Sequence, residues 1–373
     1  MKTKQSLSGK ILADVYTGGK DGYAIYRIPS LLVTRAGTLL AFCEGRVDNG
    51  GDHGTIHMLV KRSEDNGRTW SKQTVIYEDG TNTCGNPCPV LDTATGTIWL
   101  AMNWNKPGKD SYEFFHDYDG RHALMTSSND DGRTWTKPND ITADVKRRSW
   151  GWHGAGPGVG IQLKRGPHAG RLLIPCCYSE AAGADVCLGA NVIYSDAHGQ
   201  SWHLGGATAS AGLNECQIVE LGDGRIMLNG RTNISDKPWR RIAFSSDAGL
   251  SWSDVKEDRQ LPDLQCQGSI TSSSDGRLFF SNPIGIPAQA KAPVPAKEVP
   301  LEDLYIQSTP RRFRMTVRMS MDEGATWPVS HCLHEGPSCY SCLALLPDGR
   351  IACLFERGSK HPYEMITFAV LGF

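Results

Sequence analysis

The chain has 373 residues, enough to bury a large core, and a formal net charge of −1 at a pI near 6.8. That balance excludes the basic footprint of a nucleic-acid binder and the polybasic patch of a membrane-surface protein, so any electropositive chemistry has to be local. No apolar run reaches the roughly 18 residues of a membrane-spanning helix.

The first residues, MKTKQSLSGKILADVY, carry neither the apolar core nor the small-residue cleavage site of a secretory leader. The sequence as given is expected to be soluble, either cytoplasmic or, with a leader removed, secreted or periplasmic. Two short patterns then alternate along the chain. One is a small turn ending in Gly, then Thr or Arg, then an apolar run: AGTLLAF at Gly37, TGTIWLA at Gly96, AGRLLIP at Gly170, DGRIMLN at Gly224, DGRLFFS at Gly276 and DGRIACLF at Gly349. Such turns before β-prone residues signal hairpins, and six copies are six supersecondary units.

The interleaved pattern is Ser-x-Asp-x-Gly-x-Thr/Ser-Trp. It reads SEDNGRTW (Ser63–Trp70), SNDDGRTW (Ser128–Trp135), SSDAGLSW (Ser245–Trp252) and SMDEGATW (Ser320–Trp327), with a degenerate SDAHGQSW (Ser195–Trp202) that has Ala197 in place of the Asp. Asp caps backbone N–H groups and Gly tolerates positive φ, so this is a turn, with the Trp as its anchor on a neighbouring strand. Equivalent catalytic or metal sites spread evenly along a fold are implausible. Helical stripes are absent and strand-length apolar runs dominate. Six such units are expected to form an all-β, six-bladed β-propeller, which manages its sheet edges by radial repetition. The chain reads as a single domain over residues 1–373. Its rhythm is broken by a Pro- and Ala-rich segment, 281–311, expected as an inserted loop between the fifth and sixth units.

Twelve scattered cysteines in a chain this long argue against a disulfide scaffold and for buried thiols. Two close pairs, Cys84/Cys88 and Cys339/Cys342, have spacings that a zinc site or a redox dithiol could use. Alternation along a strand puts Cys339 and Cys342 on opposite faces, which speaks against both. No metal is expected.

The string YRIP (Tyr26–Pro29), followed by four intact Ser-x-Asp turns, resembles the sialidase (neuraminidase) family of exo-glycosidases, over nearly the whole chain from Tyr26 to Glu356. The resemblance independently implies a six-bladed propeller. It also implies roles residue by residue. Arg27 of YRIP, Arg231 of MLNGR and Arg312 of RRFRMTVRMS would be three arginines that bind the substrate carboxylate, with Arg311 and Arg314 as rivals for the third place. Asp52 of EGRVDNGGDHG would be the acid/base, with Asp48 as a rival and Arg46 as a further pocket arginine. Glu215 of LNECQIVEL and Tyr340 of GPSCYSCL would form the nucleophilic pair. Glu356 of LFERG would brace the first arginine, and Asn86 of GNPCPV would touch the sugar. GPGVGIQL (Gly156–Leu163) would shape a loop at the pocket rim.

These residue types suit that chemistry. Three guanidiniums can grip a planar carboxylate with paired hydrogen bonds in a way that lysine cannot. Sialic acid carries its carboxylate on the reacting carbon, so a carboxylate nucleophile would meet like charge. A neutral phenol avoids this, and sialidases are the tyrosine exception among retaining glycosidases. A phenol of pKa about 10 needs a base, which Glu215 would supply. His53 and His153 are then superfluous as bases.

The expected activity is that of an exo-α-sialidase, releasing terminal sialic acids from glycoproteins, glycolipids or oligosaccharides with retention, through a tyrosyl-linked intermediate and without a cofactor. Its partners would be sialylated glycans, with no nucleic acid and no membrane span. The alternatives are a trans-sialidase using the same residues and a non-catalytic sialoglycan-binding propeller. The latter would be marked by loss of Asp52, Glu215 or Tyr340, and all three are present.

Overall fold

Short apolar runs between Gly- and Asp-rich turns become strands almost throughout. The computed structural model describes residues 6–107, 114, 116–182, 185–209, 212–233, 238–285 and 312–373. Among them the only α-helix is a single turn at Thr142–Val145.

Hydrogen bonding joins the strands into four sheets, and dividing two of these, at the single parallel Ile56↔Thr83 bridge and within one long strand, leaves six antiparallel units. An N-terminal strand, β1 (Ser8–Thr17), comes before the first of them. The first contains β2 (Ile25–Val33), β3 (Leu39–Arg46), β4 (Ile56–Ser63) and β5 (Thr74–Tyr77). The second contains β6 (Thr83–Leu91), β7 (Ile98–Asn105), β8 (His122–Ser128) and β9 (Asn139–Asp140). In the third, β10 (Trp150–Ala155) and β11 (Ile161–Gln162) both pair with β12 (Leu172–Ala182), followed by β13 (Asp185–Ser195) and β14 (His203–Ala207). The fourth contains β15 (Leu213–Glu220), β16 (Ile226–Thr232), β17 (Trp239–Ser245) and β18 (Lys256–Pro262). The fifth contains β19 (Ser269–Ser272), β20 (Leu278–Pro283), β21 (Phe313–Ser320) and the first half of β22 (Val329–Leu345). From Ser338 onward β22 changes partner and opens the sixth unit, with β23 (Ile351–Arg357) and β24 (Met365–Gly372). β1 supplies the missing fourth strand by pairing antiparallel with β24, from Ser8↔Gly372 to Thr17↔Met365. The first and last strands of the chain thus share one sheet.

The apolar residues divide in the same way. Six buried clusters each join two consecutive units. The one between the sixth and first holds Leu39, Leu354 and Phe368, and that between the first and second holds Phe42 and Leu100. The remaining four continue round the series. Burial between units, rather than within one sheet, is what makes six copies cooperate.

The repeated turns are structural, as their spacing suggests. In the first, Asp65 Oδ1 accepts from Thr69 N at 2.9 Å and Ser63 Oγ accepts from Gly67 N at 2.9 Å. The same bonds recur at Asp130, Asp247 and Asp322. The degenerate copy keeps its Ser195 bond to Gly199 N and has no Asp bond to make. Trp70, Trp135 and Trp202 stack edge-on against Phe368, Phe42 and Trp99 of the preceding unit. Each of these turns joins the third strand of a unit to its fourth, and each Gly-Thr/Arg turn joins the first to the second. By strand direction both kinds lie on one rim of the ring.

Two expectations change. The segment expected between the fifth and sixth units instead connects β20 to β21, two paired strands inside the fifth unit. Turn spacing counts units but does not show where within a unit an insertion falls. Residues 286–311 of that segment lie outside the described residues. GPGVGIQL does not form a rim loop. Pro157 O accepts from Gln217 and Gln267 side chains at 3.2 and 3.3 Å, and Gly158 O accepts from Ser30 Oγ at 2.6 Å, so the string is buried among the first strands of several units.

Candidate active site

The first strands of the units begin at the rim opposite the repeated turns, and the second strands end there. Five of these first strands lose register at that end: β2 between Arg27 and Ser30, β6 between Gly85 and Cys88, β10 between Trp150 and His153, β15 between Leu213 and Cys216, and β22 between Ser338 and Ser341. A bulge adds a residue to one strand and re-aims its side chain. The interrupted stretches contain or adjoin Arg27, Asn86, Glu215 and Tyr340. At two of them the backbone is left-handed, with φ +59° at Ile28 and +56° at Asn86. Such strain in a β-branched residue costs on the order of 1–3 kcal/mol and persists only where the surroundings enforce it. Here carboxylates do so: Ile28 N donates to Glu356 Oε1 and Asn86 N donates to Glu44 Oε1, both at 2.8 Å.

Tyr340 Oη donates to Glu215 Oε1 at 2.5 Å, while Arg231 Nη1 bridges the pair, 2.7 Å from Glu215 Oε2 and 3.2 Å from Tyr340 Oη. Burial and the Glu215 charge push the Tyr340 phenol well above its ordinary value, against the pull of Arg231, Arg312 and Arg27. It is therefore neutral at rest. Fully buried Glu356 accepts from Arg27 Nε and Nη2, each at 3.2 Å, and from Tyr340 N at 3.0 Å. One carboxylate thus fixes both Arg27 and the backbone of Tyr340. The Arg27 guanidinium lies 3.9 Å from the centre of the Tyr363 ring and 4.9 Å from that of Tyr340.

Asp52 stands on the β3–β4 connection, 2.9 Å from Arg46 and 3.6 Å from Arg27, with 38% of its side chain exposed. Burial alone would raise its carboxyl, but Arg46 and Arg27 outweigh it and hold the group below the usual carboxylate value. Arg46 is itself fixed by Glu44 at 2.6 Å and by the carbonyls of Gly50 and Gly51. Its rival Asp48 is exposed to solvent. Arg312, immediately before β21, donates to Cys339 Sγ at 3.0 Å and to Gln265 O, and its charge reaches Tyr340. Arg314 turns away to Glu335, 2.9 Å distant, and Arg311 lies outside the described residues. His153 is buried and its imidazole is pushed down to about 3 by burial and by Lys146 and Arg121, so it remains neutral. His53 is exposed.

A family model described as a BNR repeat-like domain matches residues 31–353. Sialidase-3 of Mus musculus is 30% identical, over 92% of this chain and 90% of its own length. The chain belongs to the sialidase family. Sialidase from Micromonospora viridifaciens is 37% identical over 96% of this chain, and that from Bacteroides fragilis 29% identical over 92%. This chain spans only 54% and 62% of the length of those two relatives. Among solved structures, Hadza microbial sialidase Hz136 superposes with a TM-score of 0.81 at 28% identity, over 96% of this chain and 67% of its own. An intramolecular trans-sialidase from Ruminococcus gnavus, 19% identical, shares the fold with a TM-score of 0.78 over 98% and 99% of the two chains.

The sequence patterns did not single out Glu44, Arg121 or Trp152, which line the cleft. Glu44 was quoted only as part of EGR, although it holds both Arg46 and Asn86. Arg121 and Trp152 line the same cleft as Asp52, Asn86, Glu215 and Tyr340. The Arg121 guanidinium lies 3.7 Å from the centre of the Trp152 ring, donates to Asn105 Oδ1 at 3.3 Å and leaves its Nε unpartnered. Burial pushes it down to about 10, which still leaves it cationic at neutral pH. A signal for it existed in the repeats: Arg121 immediately precedes the third strand of its unit, the place Arg312 takes in the fifth. Altogether five guanidiniums (Arg27, Arg46, Arg121, Arg231, Arg312) face four carboxylates (Glu44, Asp52, Glu215, Glu356). This local positive surplus sits in a chain of net charge −1. Among the described residues no group of three or more metal-ligating side chains occurs.

Proposed function

We propose that this chain is a retaining exo-α-sialidase, with the whole ring as its single catalytic domain and terminal sialic acids of glycoconjugates as its substrate. The observation that carries the reading is the 2.5 Å contact between a neutral buried phenol and a carboxylate, bridged by a guanidinium. A phenol so arranged is a nucleophile whose proton has a waiting acceptor.

In this reading Arg27, Arg231 and Arg312 grip the carboxylate on the anomeric carbon. Tyr340 Oη attacks that carbon as Glu215 takes its proton, and Asp52 protonates the departing glycosidic oxygen. Asp52, now ionised, then removes a proton from water. The water oxygen displaces Tyr340 from the carbon, and the phenolate recovers its proton from Glu215. Two inversions give retention. Glu356 holds the first arginine and the nucleophile in a fixed relation, and Asn86 and Arg121 meet the sugar beyond Asp52. No step needs a metal or organic cofactor.

The test is hydrolysis of a fluorogenic sialoside by wild type, Tyr340→Phe and Asp52→Ala, with products followed in the presence of lactose. Wild type is expected to release free sialic acid, and both variants to fold and lose most turnover. A Tyr340→Phe protein with wild-type turnover would overturn the mechanism. Sialyl-lactose as the main product would overturn hydrolysis.

A further inference from the structure

The C-x-x-C spacing of Cys339 and Cys342 has no counterpart in space. Cys342 packs in the apolar layer between the sixth and first units, its sulfur 3.9 Å from Leu31 O. Cys339 faces the other way, and its sulfur lies 3.7 Å from that of Cys266, 73 residues earlier on the β18–β19 connection. Both thiols are fully buried, in a cluster with Ile28, Tyr340 and Tyr363. Ile28 and Tyr340 also line the cleft, so the sulfurs occupy the layer beneath it.

Cys339 also anchors two of the arginines. Arg312 Nη1 donates to its sulfur at 3.0 Å and Arg27 Nη2 at 3.7 Å. Guanidinium donors favour a thiolate, and the thiolate is the reactive form. Burial opposes ionisation of Cys339, but the Cys266 hydrogen bond and the charges of Arg312 and Arg27 outweigh it, whereas burial holds Cys266 above its ordinary range. The contacts therefore suit Cys339, held by two guanidiniums, to attack and Cys266 beside it to resolve.

We propose that Cys266 and Cys339 form a reversible oxidation site, in which a peroxide converts the pair to a disulfide and disables the arginine grip. The Cys339 thiolate attacks one peroxide oxygen. The S–O bond forms, the O–O bond breaks, and the departing hydroxide takes a proton to become water. Cys266, losing its proton to the leaving oxygen, then attacks the sulfenic sulfur; the S–S bond forms, the S–O bond breaks and a second water leaves. The two sulfurs give up two electrons and the peroxide receives them. A disulfide needs about 2.05 Å between sulfurs, so the pair must close on each other. Closure removes the anionic acceptor of Arg312 and Arg27 and pulls on the residue next to Tyr340.

The experiment treats the full chain, natively folded, with hydrogen peroxide, followed by alkylation and peptide mapping without reduction. The expected result is a peptide pair joined through Cys266 and Cys339 and reversed by dithiothreitol. A misplacement of about 1 Å at a reacting centre costs on the order of 100-fold. Turnover is therefore expected to fall by roughly 10- to 100-fold in step with the link, and to recover with it. In Cys266→Ser the Cys339 sulfenic acid has no thiol to resolve it, so under excess peroxide a second equivalent is expected to carry it to the sulfinic acid, which dithiothreitol does not reduce, whereas Cys342→Ser responds like wild type. Inactivation without the link, a linked protein with full turnover, or a Cys266→Ser protein that recovers like wild type would each overturn the proposal. The mass readout needs no variant to fold. It is also independent of the sialidase reading, so the failure of one is distinguishable from the failure of the other.

Discussion

Tyr340 and Glu215 meet across 2.5 Å, and the proposed mechanism uses them as one pair. Removing either half, as Tyr340→Phe or Glu215→Gln, is expected to lower kcat by on the order of 10²–10⁴. Groups that act as one unit are not additive, so the double variant should fall no further than the worse single one. Single-turnover rates for all three would show this, and a multiplied loss would mean independent roles. Asp52 supplies a second test. It must be protonated to act as an acid, yet in the free protein Arg46 and Arg27 hold its carboxyl below the usual value. The acid form is lost as pH rises through that low value. kcat/KM, which reports free groups, is therefore expected to decline from the acid side upward. A bound substrate carboxylate takes up part of the Arg27 charge, so the matching limb of kcat should lie at higher pH. Superimposable profiles would count against the assignment. Most of these residues could be singled out because each sits in a local string, such as YRIP, EGR or LNE, that resembles the sialidase family's. The third arginine was legible only as the preferred one of three crowded in RRFR, and of its rivals the structure tells apart Arg314, which turns outward to Glu335. Arg121 has no string at all and is visible only by its register to the following turn.

At the scale of elements, the repeated turns were legible and the bulges were not. Asp and Gly at fixed offsets state a turn outright. A bulge depends on what the neighbouring strands allow, as at Ile28, where a carboxylate from β23 supplies the bond that holds the backbone. The turns also separate two costs that sequence alone confounds. Gly67 and Gly349 have nearly the same backbone, φ +82° and +84°, but a Cβ on Gly67 would lie 2.1 Å from the Phe368 ring, whereas on Gly349 it would meet nothing within 4 Å. Alanine in the left-handed region costs about 1–2 kcal/mol, and overpacking a core adds about 1–3 kcal/mol. Gly349→Ala should therefore show only the first loss in urea unfolding and Gly67→Ala both. Equal losses would show that Phe368 yields without cost.

At the scale of the whole molecule, the count of six units followed from the turns, but the pairing of chain ends did not, because residues before Tyr26 carry neither pattern. β1 completes the sixth unit, and Arg357 on β23 reaches Asp14 on β1 at 2.7 Å. A chain lacking residues 1–17 would expose the β24 edge, whose Ala369 and Val370 are otherwise buried. An unpaired apolar edge is a template for another strand. That truncation is expected to lower Tm and to elute as higher oligomers, and a monomer of unchanged Tm would show that β1 is dispensable.

The strand directions put every repeated turn on one rim and Asp52, Glu215, Arg231, Arg312 and Tyr340 toward the other. Heritable variation can therefore act on the two rims separately. A substitution scan scoring abundance and turnover independently should divide along the ring axis: one rim decides whether the protein accumulates, the other what it does once it has. A lineage could accordingly exchange one specificity for another while its frame stays out of reach of the change.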